Sequence, residues 1–514
     1  MRSFYAKLNW AKVGFGLALI PILYLMMRVV LFLDIEGSPF PQFDEWWFLK
    51  DTSFLTTVLA MNNENFQFFT NAFLWLAPRL GIPFFLGRYF SLALLLLMMW
   101  VLYNRLKSHV AQSRRFMLVL AFCPFFWSYM ASNLLWTNLS QAWMYFLLMF
   151  LSIKFGFEKP QKTRYQFLTL GLILAAFVAM NISLPIIFAV LYLARALYFH
   201  RRISMREFAL SCFCSSVILM TACLFYVWIR RHDMTEFSFA TLLTPEYWLW
   251  LSYGLFGVWS GFLVSAEQAW FYYIGGGMAV IWLGFLFFRQ IQKPQKQAMW
   301  VIAIILIGGM AMITLFRGES ILLIAGYAGR HIPYGICLIP VIYALGASDK
   351  NKIVRYISDG ILVVMLVCSL GHYNTEKIRD KFVHVRNGTV CFMYHLQLER
   401  NTQPFACGLG WEDVREPFRY FVTHDAAFRP FYDNAIFFGL TKDADRFAMV
   451  YRVPGKRLFL KKIYALMPFY GQYNQMSKEF SGGDWVKLIN RIFAISYQPL
   501  VKEFKLEITG RENG

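Results

Sequence analysis

The sequence predicts an all-α polytopic membrane protein of about 11 transmembrane helices, followed by a smaller mixed α/β domain. Three observations predict it. The 514 residues are 58% hydrophobic and 19% aromatic, with a mean hydropathy of +0.46. Only 16% are charged, against roughly 25% in soluble domains. Apolar runs recur at about the 20-residue length that crosses about 30 Å of hydrocarbon as a helix.

The expected spans are 13–33, 84–103, 116–131, 138–156, 167–182, 184–199, 207–229, 271–289, 299–316, 320–346 and 353–371. The N-terminal stretch MRSFYAKLNWAKVGFG leads into the first run with no small-residue cleavage site, so it reads as an uncleaved helix. Around Asn181-Ile-Ser-Leu-Pro185, two short runs could be two helices or one broken helix.

Charge orients the helices. The formal net charge is +20. Its cations collect in one alternating set of loops: Arg105, Lys107, Arg114 and Arg115; Lys154, Lys159, Lys162 and Arg164; Arg195, Arg201, Arg202 and Arg206; Arg289, Lys293 and Lys296; Lys350, Lys352 and Arg355. Arg2, Lys7 and Lys12 precede the first span. By the positive-inside bias the N-terminus is cytoplasmic, and an odd span count leaves the C-terminal tail outside. The same bias explains the basic balance without nucleic acid, and no basic groove motif interleaved with aromatics stands out.

The chain divides into a membrane domain, 1–372, and an extracytoplasmic, mostly soluble tail, 373–514. Six of the eight cysteines fall in apolar spans. Cys391 and Cys407 lie in the outside tail, where an oxidising compartment permits a disulfide between them; two unrelated thiols are the alternative. Two outer loops are long, 34–83 and 230–270. The second contains Tyr247, Trp248, Trp250, Tyr253, Trp259 and Trp270, aromatics that favour the membrane boundary, and reads as short interfacial helices.

Candidate chemistry concentrates in the first outer loop. In FDEWWFLKD, Asp44 and Glu45 follow Pro39 and Pro41 and precede Trp46 and Trp47. A carboxylate held at the interface is partly desolvated, which makes it a better base. The alternative is a polar loop anchored by tryptophans. Asn62-Asn63-Glu64-Asn65-Phe66-Gln67 follows, with one carboxylate and four amides. Amides both donate and accept, which suits sugar hydroxyls, although a helix cap and turn would use the same residues. Arg317-Gly318-Glu319 ends one span, and Gly329-Arg330-His331 lies inside an apolar run. An intramembrane arginine is a functional hypothesis by default, and Arg forks onto phosphate oxygens. The alternative for Arg330 is a salt bridge to Glu319 or Glu64. No nucleotide-binding loop or Cys/His metal spacing occurs, and no metal ligand is assigned.

Asp44-Glu45-Trp46, Asn62-Asn63-Glu64-Asn65-Phe66 and Gly329-Arg330-His331 together resemble motifs of the GT-C class of integral-membrane glycosyltransferases. More narrowly, the chain is similar to a group of poorly characterised bacterial multi-pass proteins with D-E-W and then H-N-E-H-R-I-like segments in the first outer loop, and a later (S/A)-R-Y-type motif. This chain departs from the pattern: both motif histidines are Asn, the motif Arg is Phe66, and the late Tyr is His331.

The resemblance implies a GT-C-like fold in a bacterial inner membrane, with the C-terminus in the periplasm. It implies a polyprenyl-phosphate-linked sugar donor and a glycan, lipid or protein acceptor on the outer face. Asp44 or Glu45 would be the catalytic base. Asn63, Glu64, Asn65, Arg317, Arg330 and His331 would bind substrate, and transfer would invert the anomeric centre. No cofactor is certain; a divalent Mg or Mn ion between Asp44, Glu45 and Glu64 would suit oxygen ligands. An O-antigen-type polymerase or ligase, and a lipid or polysaccharide transporter (flippase), are the competing readings.

Overall fold

The computed structural model describes residues 10–35, 53–59, 61–62, 65–66, 68–80, 86–126, 140–158, 162–180, 183–198, 203–232, 239–248, 251–252, 255, 270–290, 293, 296–317 and 332–370, and strands at 436–439, 446–452 and 503–509.

Helix α1 (Trp10–Ile35) is followed by a short α2 (Phe54–Val58), strands β1 (Met61–Asn62) and β2 (Asn65–Phe66), and α3 (Phe68–Arg79). Next come α4 (Leu86–Leu106), a short α5 (Arg115–Leu120), α6 (Ser140–Ile153), α7 (Thr163–Ala179), α8 (Ser183–Tyr198) and α9 (Met205–His232). Helices α10 (Trp270–Gln290), α11 (Gln297–Arg317), α12 (Ile332–Ala347) and α13 (Lys352–Leu370) follow. In the C-terminal part, β3 (Ile436–Gly439), β4 (Arg446–Arg452) and β5 (Glu503–Thr509) form one antiparallel sheet in the order β3-β4-β5.

Among the described residues, three helical segments are long and apolar enough to cross a membrane: Gly87–Leu106, Met205–Val227 and Gln297–Leu315. Shorter apolar helices lie at Gly16–Met27, Thr163–Ala179, Ser183–Tyr198, Val280–Gln290 and Pro333–Ala347. Lipid-facing positions such as Trp100, Leu224, Ile281 and Phe288 are exposed on the isolated chain. That is the apolar exterior a bilayer would cover.

One segment differs from the expected spans, and a second matches one of its two alternatives. Within the expected span 116–131, the described residues 116–126 form α5 and then a 3₁₀ turn, Cys123–Phe126. Pro124 is the reason: it has no N–H, and its ring would clash with the carbonyl of Leu120, the last residue of α5. Around Asn181, α7 and α8 are separate helices, with Met180 leaving helical geometry at φ −151° and ψ −80°. Pro185 sits in the first turn of α8, where a missing N–H costs nothing.

Local signals set the helix starts. Ser204 and Glu207 form a reciprocal capping box at α9: Glu207 N donates to Ser204 Oγ at 3.2 Å, and Ser204 N donates to Glu207 Oε2 at 3.1 Å. Before α13, Asp349 Oδ1 accepts from Asn351 N at 2.8 Å and Asn351 Oδ1 accepts from Ile353 N at 2.9 Å, an Asx device.

Helices α6, α11 and α12 lie at the centre: α4 and α7 pack on α6, α8 and α12 on α11, and α13 on α12. Close approach there depends on small residues, since lipid supplies no hydrophobic drive between helices. A Cβ on Gly309 would collide with Leu184 Cδ2 and lie 2.8 Å from Tyr334 Cε1, which sets how closely α11 meets α8 and α12. At Gly346 a Cβ would collide with Ser358 Oγ, joining α12 to α13.

Ion pairs gather at one end of this bundle. Arg105 pairs with Glu158, Arg114 Nε with Asp359 Oδ2 at 3.1 Å, and Arg289 Nη2 with Asp349 Oδ1 at 3.2 Å. Gln166 Nε2 donates to Glu207 O at 3.0 Å and Ser211 Oγ at 2.8 Å, tying the starts of α7 and α9. Helices α4, α6, α8, α10 and α12 therefore run toward this charged end, and α7, α9, α11 and α13 run away from it. These are the loops in which the sequence concentrates Lys and Arg.

Candidate functional site

The opposite end of the bundle is built from the starts of α3, α4, α6, α8 and α12. It is polar and deeply buried. Thr70 and Asn71 on α3 are 2% and 0% exposed, Arg88 and Ser91 on α4 are 1% and 0%, and Ser140 and Gln141 on α6 are both 4%.

Helical spacing explains why these groups point inward. Arg88 and Ser91 share a face with Leu92, Leu95, Met98 and Leu102, all buried. Residues at these spacings line one side of a helix. Thr70 and Ser140 share a face with Leu74 and Trp143 in the same way. Thr70 Oγ1 lies 3.4 Å from Ser140 Oγ, linking α3 to α6. Phe73 stacks on Phe90 with centroids 6.4 Å apart, linking α3 to α4.

Tyr145 joins the next two elements. Its hydroxyl accepts from Leu184 N at 3.0 Å and lies 3.4 Å from Ser183 Oγ. It thus satisfies one of the free N–H groups at the start of α8. Phe146 meets Tyr334 of α12 edge-on, with centroids 4.8 Å apart. Among the described residues, Ser91 Oγ, Gln141 Oε1 and Trp143 Nε1 are buried without a hydrogen-bond partner. Such groups cost about 1–3 kcal/mol each when left unsatisfied, so they mark a place where a polar guest would be welcome.

These five helix starts bring one arginine and no carboxylate. In the sequence, the acidic candidates precede α3 in the same outer loop. Strands β1 and β2 pair antiparallel in the register Met61↔Phe66 and Asn62↔Asn65. Asn65 is therefore placed in β2, which leads directly into α3 and packs on α7. Asn63 and Glu64 connect the paired positions but lie outside the described residues. So do Asp44, Glu45, Arg330, His331, Cys391 and Cys407. Arg317 is the last residue of α11, at the polar end, and its side chain lies outside the description. Of the expected site, then, Asn65 and Arg317 are placed by backbone at the end where the buried polar groups gather.

Arg88 is the residue that the sequence reading passed over. Its signal was the one used for Arg330: a guanidinium inside an apolar run, here FLGRYFSLALLLL. In the second long loop, Tyr247 is buried and its hydroxyl donates to Ala311 O at 3.1 Å, whereas Trp248 is exposed. This loop contains a 3₁₀ helix, Phe239–Leu243, and a helical turn at 245–248.

Among the described residues no group of three or more His, Cys, Asp or Glu could hold a metal ion; Asp44, Glu45 and Glu64 are not among them. No family model, no curated protein and no solved structure matches this chain.

Proposed function

We propose that the protein is a multi-pass membrane glycosyltransferase that takes a sugar from a polyprenyl phosphate and adds it to a cell-surface glycan, lipid or protein. The observation that carries this reading is the buried polar layer around Arg88, at the end of the bundle into which the acidic loop leads. Three polar groups of this layer, Ser91 Oγ, Gln141 Oε1 and Trp143 Nε1, are buried without a hydrogen-bond partner among the described residues, which suits the hydroxyls of a sugar.

In this reading the charged end faces the cytoplasm, by the positive-inside bias, and the polar end faces the periplasm of a bacterial inner membrane. The bundle has about eleven spans, the one at 116–131 interrupted at Pro124, and 373–514 forms a periplasmic mixed α/β domain to which β3–β5 belong. Asp44 or Glu45 takes the proton from an acceptor hydroxyl as its oxygen attacks the anomeric carbon. The bond from that carbon to the phosphate oxygen breaks, and the polyprenyl phosphate leaves with the electron pair. Arg88, Arg317 and Arg330 would offset the charge developing on that phosphate. A single displacement inverts the anomeric centre. Asn63, Glu64, Asn65 and His331 would hold sugar or acceptor hydroxyls. A Mg or Mn ion, if bound by Asp44, Glu45 and Glu64, would supply additional charge at the phosphate.

The competing reading is a lipid or polysaccharide transporter, although α7 and α8 run in opposite directions and so are not the interrupted helix that such a reading expects. Mass spectrometry of surface glycans and lipids from a deletion strain and its parent separates the two. A transferase predicts a mass difference equal to a sugar residue. An unmodified product trapped on the wrong side of the membrane favours transport.

A further inference from the structure

Helices α10 and α13 both lie against α12, and an apolar crevice remains between them. Its walls are Trp282 on α10, Ile339 and Ile342 on α12, and Ile361, Leu362 and Met365 on α13. The space measures about 190 Å³, counting the part open to its surroundings. A Cβ on Gly346 would collide with Ser358 Oγ and lie 3.6 Å from Trp282 Cζ2, so the three helices come together at this glycine. Phe285, itself exposed, stacks on Trp282 with centroids 5.4 Å apart. Val364, also exposed, follows Ile361 by one turn of α13. Both rims therefore continue onto apolar surface that a bilayer would cover.

Two polar side chains also line the crevice, and the chain uses both internally. Ser358 Oγ donates to Val354 O at 2.8 Å, and the Tyr343 hydroxyl donates to Asp359 Oδ1 at 3.0 Å. What the crevice offers a guest is hydrocarbon contact. Charge stands at one end of it. Arg355, Ser358 and Leu362 recur at i, i+3 and i+7, the spacing of one helix face. Because α13 starts at the charged end, Arg355 lies one turn nearer that end than Ser358, at the mouth of the crevice. Its Nε is buried and, among the described residues, has no hydrogen-bond partner. The carboxylates of this region are already engaged. Asp359, one turn further along α13, holds Arg114 Nε at 3.1 Å as well as Tyr343. Asp349 holds Arg289 Nη2 at 3.2 Å and Asn351 N at 2.8 Å. Lys350 and Lys352, both exposed, add positive charge just before α13.

We propose that this crevice holds an acyl chain of an anionic phospholipid, with the phosphate on Arg355 at its mouth. Arginine forks onto phosphate oxygens, and lysines near the membrane surface strengthen the attraction of an anionic headgroup. The buried Nε then gains an acceptor in place of being left unmatched. A guanidinium one helical turn from apolar walls fits a molecule whose phosphate and hydrocarbon are joined by a short glycerol linker. The site is at the opposite end of the bundle from the polar layer and does not depend on the transferase reading.

The test uses the purified full-length protein in nanodiscs of phosphatidylcholine with a minor fraction of phosphatidylglycerol. Native mass spectrometry on release identifies the lipids that stay bound. Wild type should retain phosphatidylglycerol in preference to phosphatidylcholine. Arg355→Gln should lower that retention about tenfold, the scale of one lost charge-assisted contact. Ile361→Trp fills the crevice from a half-buried position and should lower retention while leaving Arg355 in place. Arg164→Gln, at an exposed arginine that starts α7, should change nothing. Unfolding midpoints in phosphatidylcholine alone show which variants are folded, and Ile361→Phe replaces the Trp variant if that one is not. Equal retention by wild type and Arg355→Gln overturns the site. Loss in Arg355→Gln without loss in the folded crevice variant overturns the seating of the acyl chain.

Discussion

Helix α4 carries an arginine at each end, and the two stand in different surroundings. Arg105 is paired with Glu158, in the turn that follows α6, in a set of ion pairs that also joins the start of α5 to α13 and α10 to the α12–α13 connection. Arg88, 1% exposed, stands where hydroxyls and amides are buried and where the surrounding helix starts bring no acidic residue. Charges at one end are therefore matched mostly within the chain and fix how helices register. At the other end the chain collects donors and acceptors that its own helices leave partly unmatched. The first arrangement suits structure and the second suits a guest.

Substitutions can break this contrast. The largest effects should fall on the acidic loop: Asp44→Asn or Glu45→Gln, whichever removes the base, should lower sugar transfer by about 10²–10⁴-fold with normal expression and insertion. Transfer assays with a polyprenyl-phosphate sugar measure it. Next is the pair of arginines. Arg88→Met should reduce transfer by about 10²–10³-fold, the scale of losing one charge-stabilising group. Arg105→Met should lower the unfolding midpoint and leave transfer unchanged, since it faces Glu158 at the far end.

Packing substitutions have a middle-sized effect. Gly309→Ala should destabilise by about 1–3 kcal/mol, because the added methyl collides with Leu184 and crowds Tyr334. Tyr145→Phe should cost about 1–2 kcal/mol through loss of the hydroxyl that caps α8. Thermal unfolding in nanodiscs reads both.

The smallest effect is a pH dependence at the charged end. The Lys296 ammonium is depressed to about 8, by burial first and by Lys293 second. The unfolded chain then binds more protons between about pH 8 and the ordinary lysine range, so this residue's contribution to stability rises with pH across that window. Lys296→Met should be the more stable protein at pH 7, and its advantage should shrink as pH rises past 8. Paired unfolding curves across this range check the sign. His109 is also depressed, by burial and then by Lys296 and Arg105, so it is held neutral nearby.

Much of the helical architecture was legible because apolar run length is a local property. Runs at 84–103, 207–229 and 299–316 correspond to α4, α9 and α11. Within the run at 116–131 the helix ends at Leu120 ahead of Pro124, a break that was visible in the sequence. The capping box at Ser204 and Glu207 could also have been read directly. Other features could not. Arg114 and Asp359 are 245 residues apart, and their pairing depends on how the helices pack. The hydroxyl that caps α8 comes from Tyr145, 39 residues upstream on another helix. The candidate site was legible in part: the carboxylates stood out by composition, whereas Arg88 was hidden by its position inside an ordinary-looking span.

The most direct test of the central claim is sugar transfer by the purified protein in nanodiscs, with a radiolabelled polyprenyl-phosphate sugar and a membrane-derived acceptor fraction. The account predicts that label moves to the acceptor with wild type and stays on the lipid with the Asp44→Asn, Glu45→Gln double variant. Equal transfer by both proteins would contradict it.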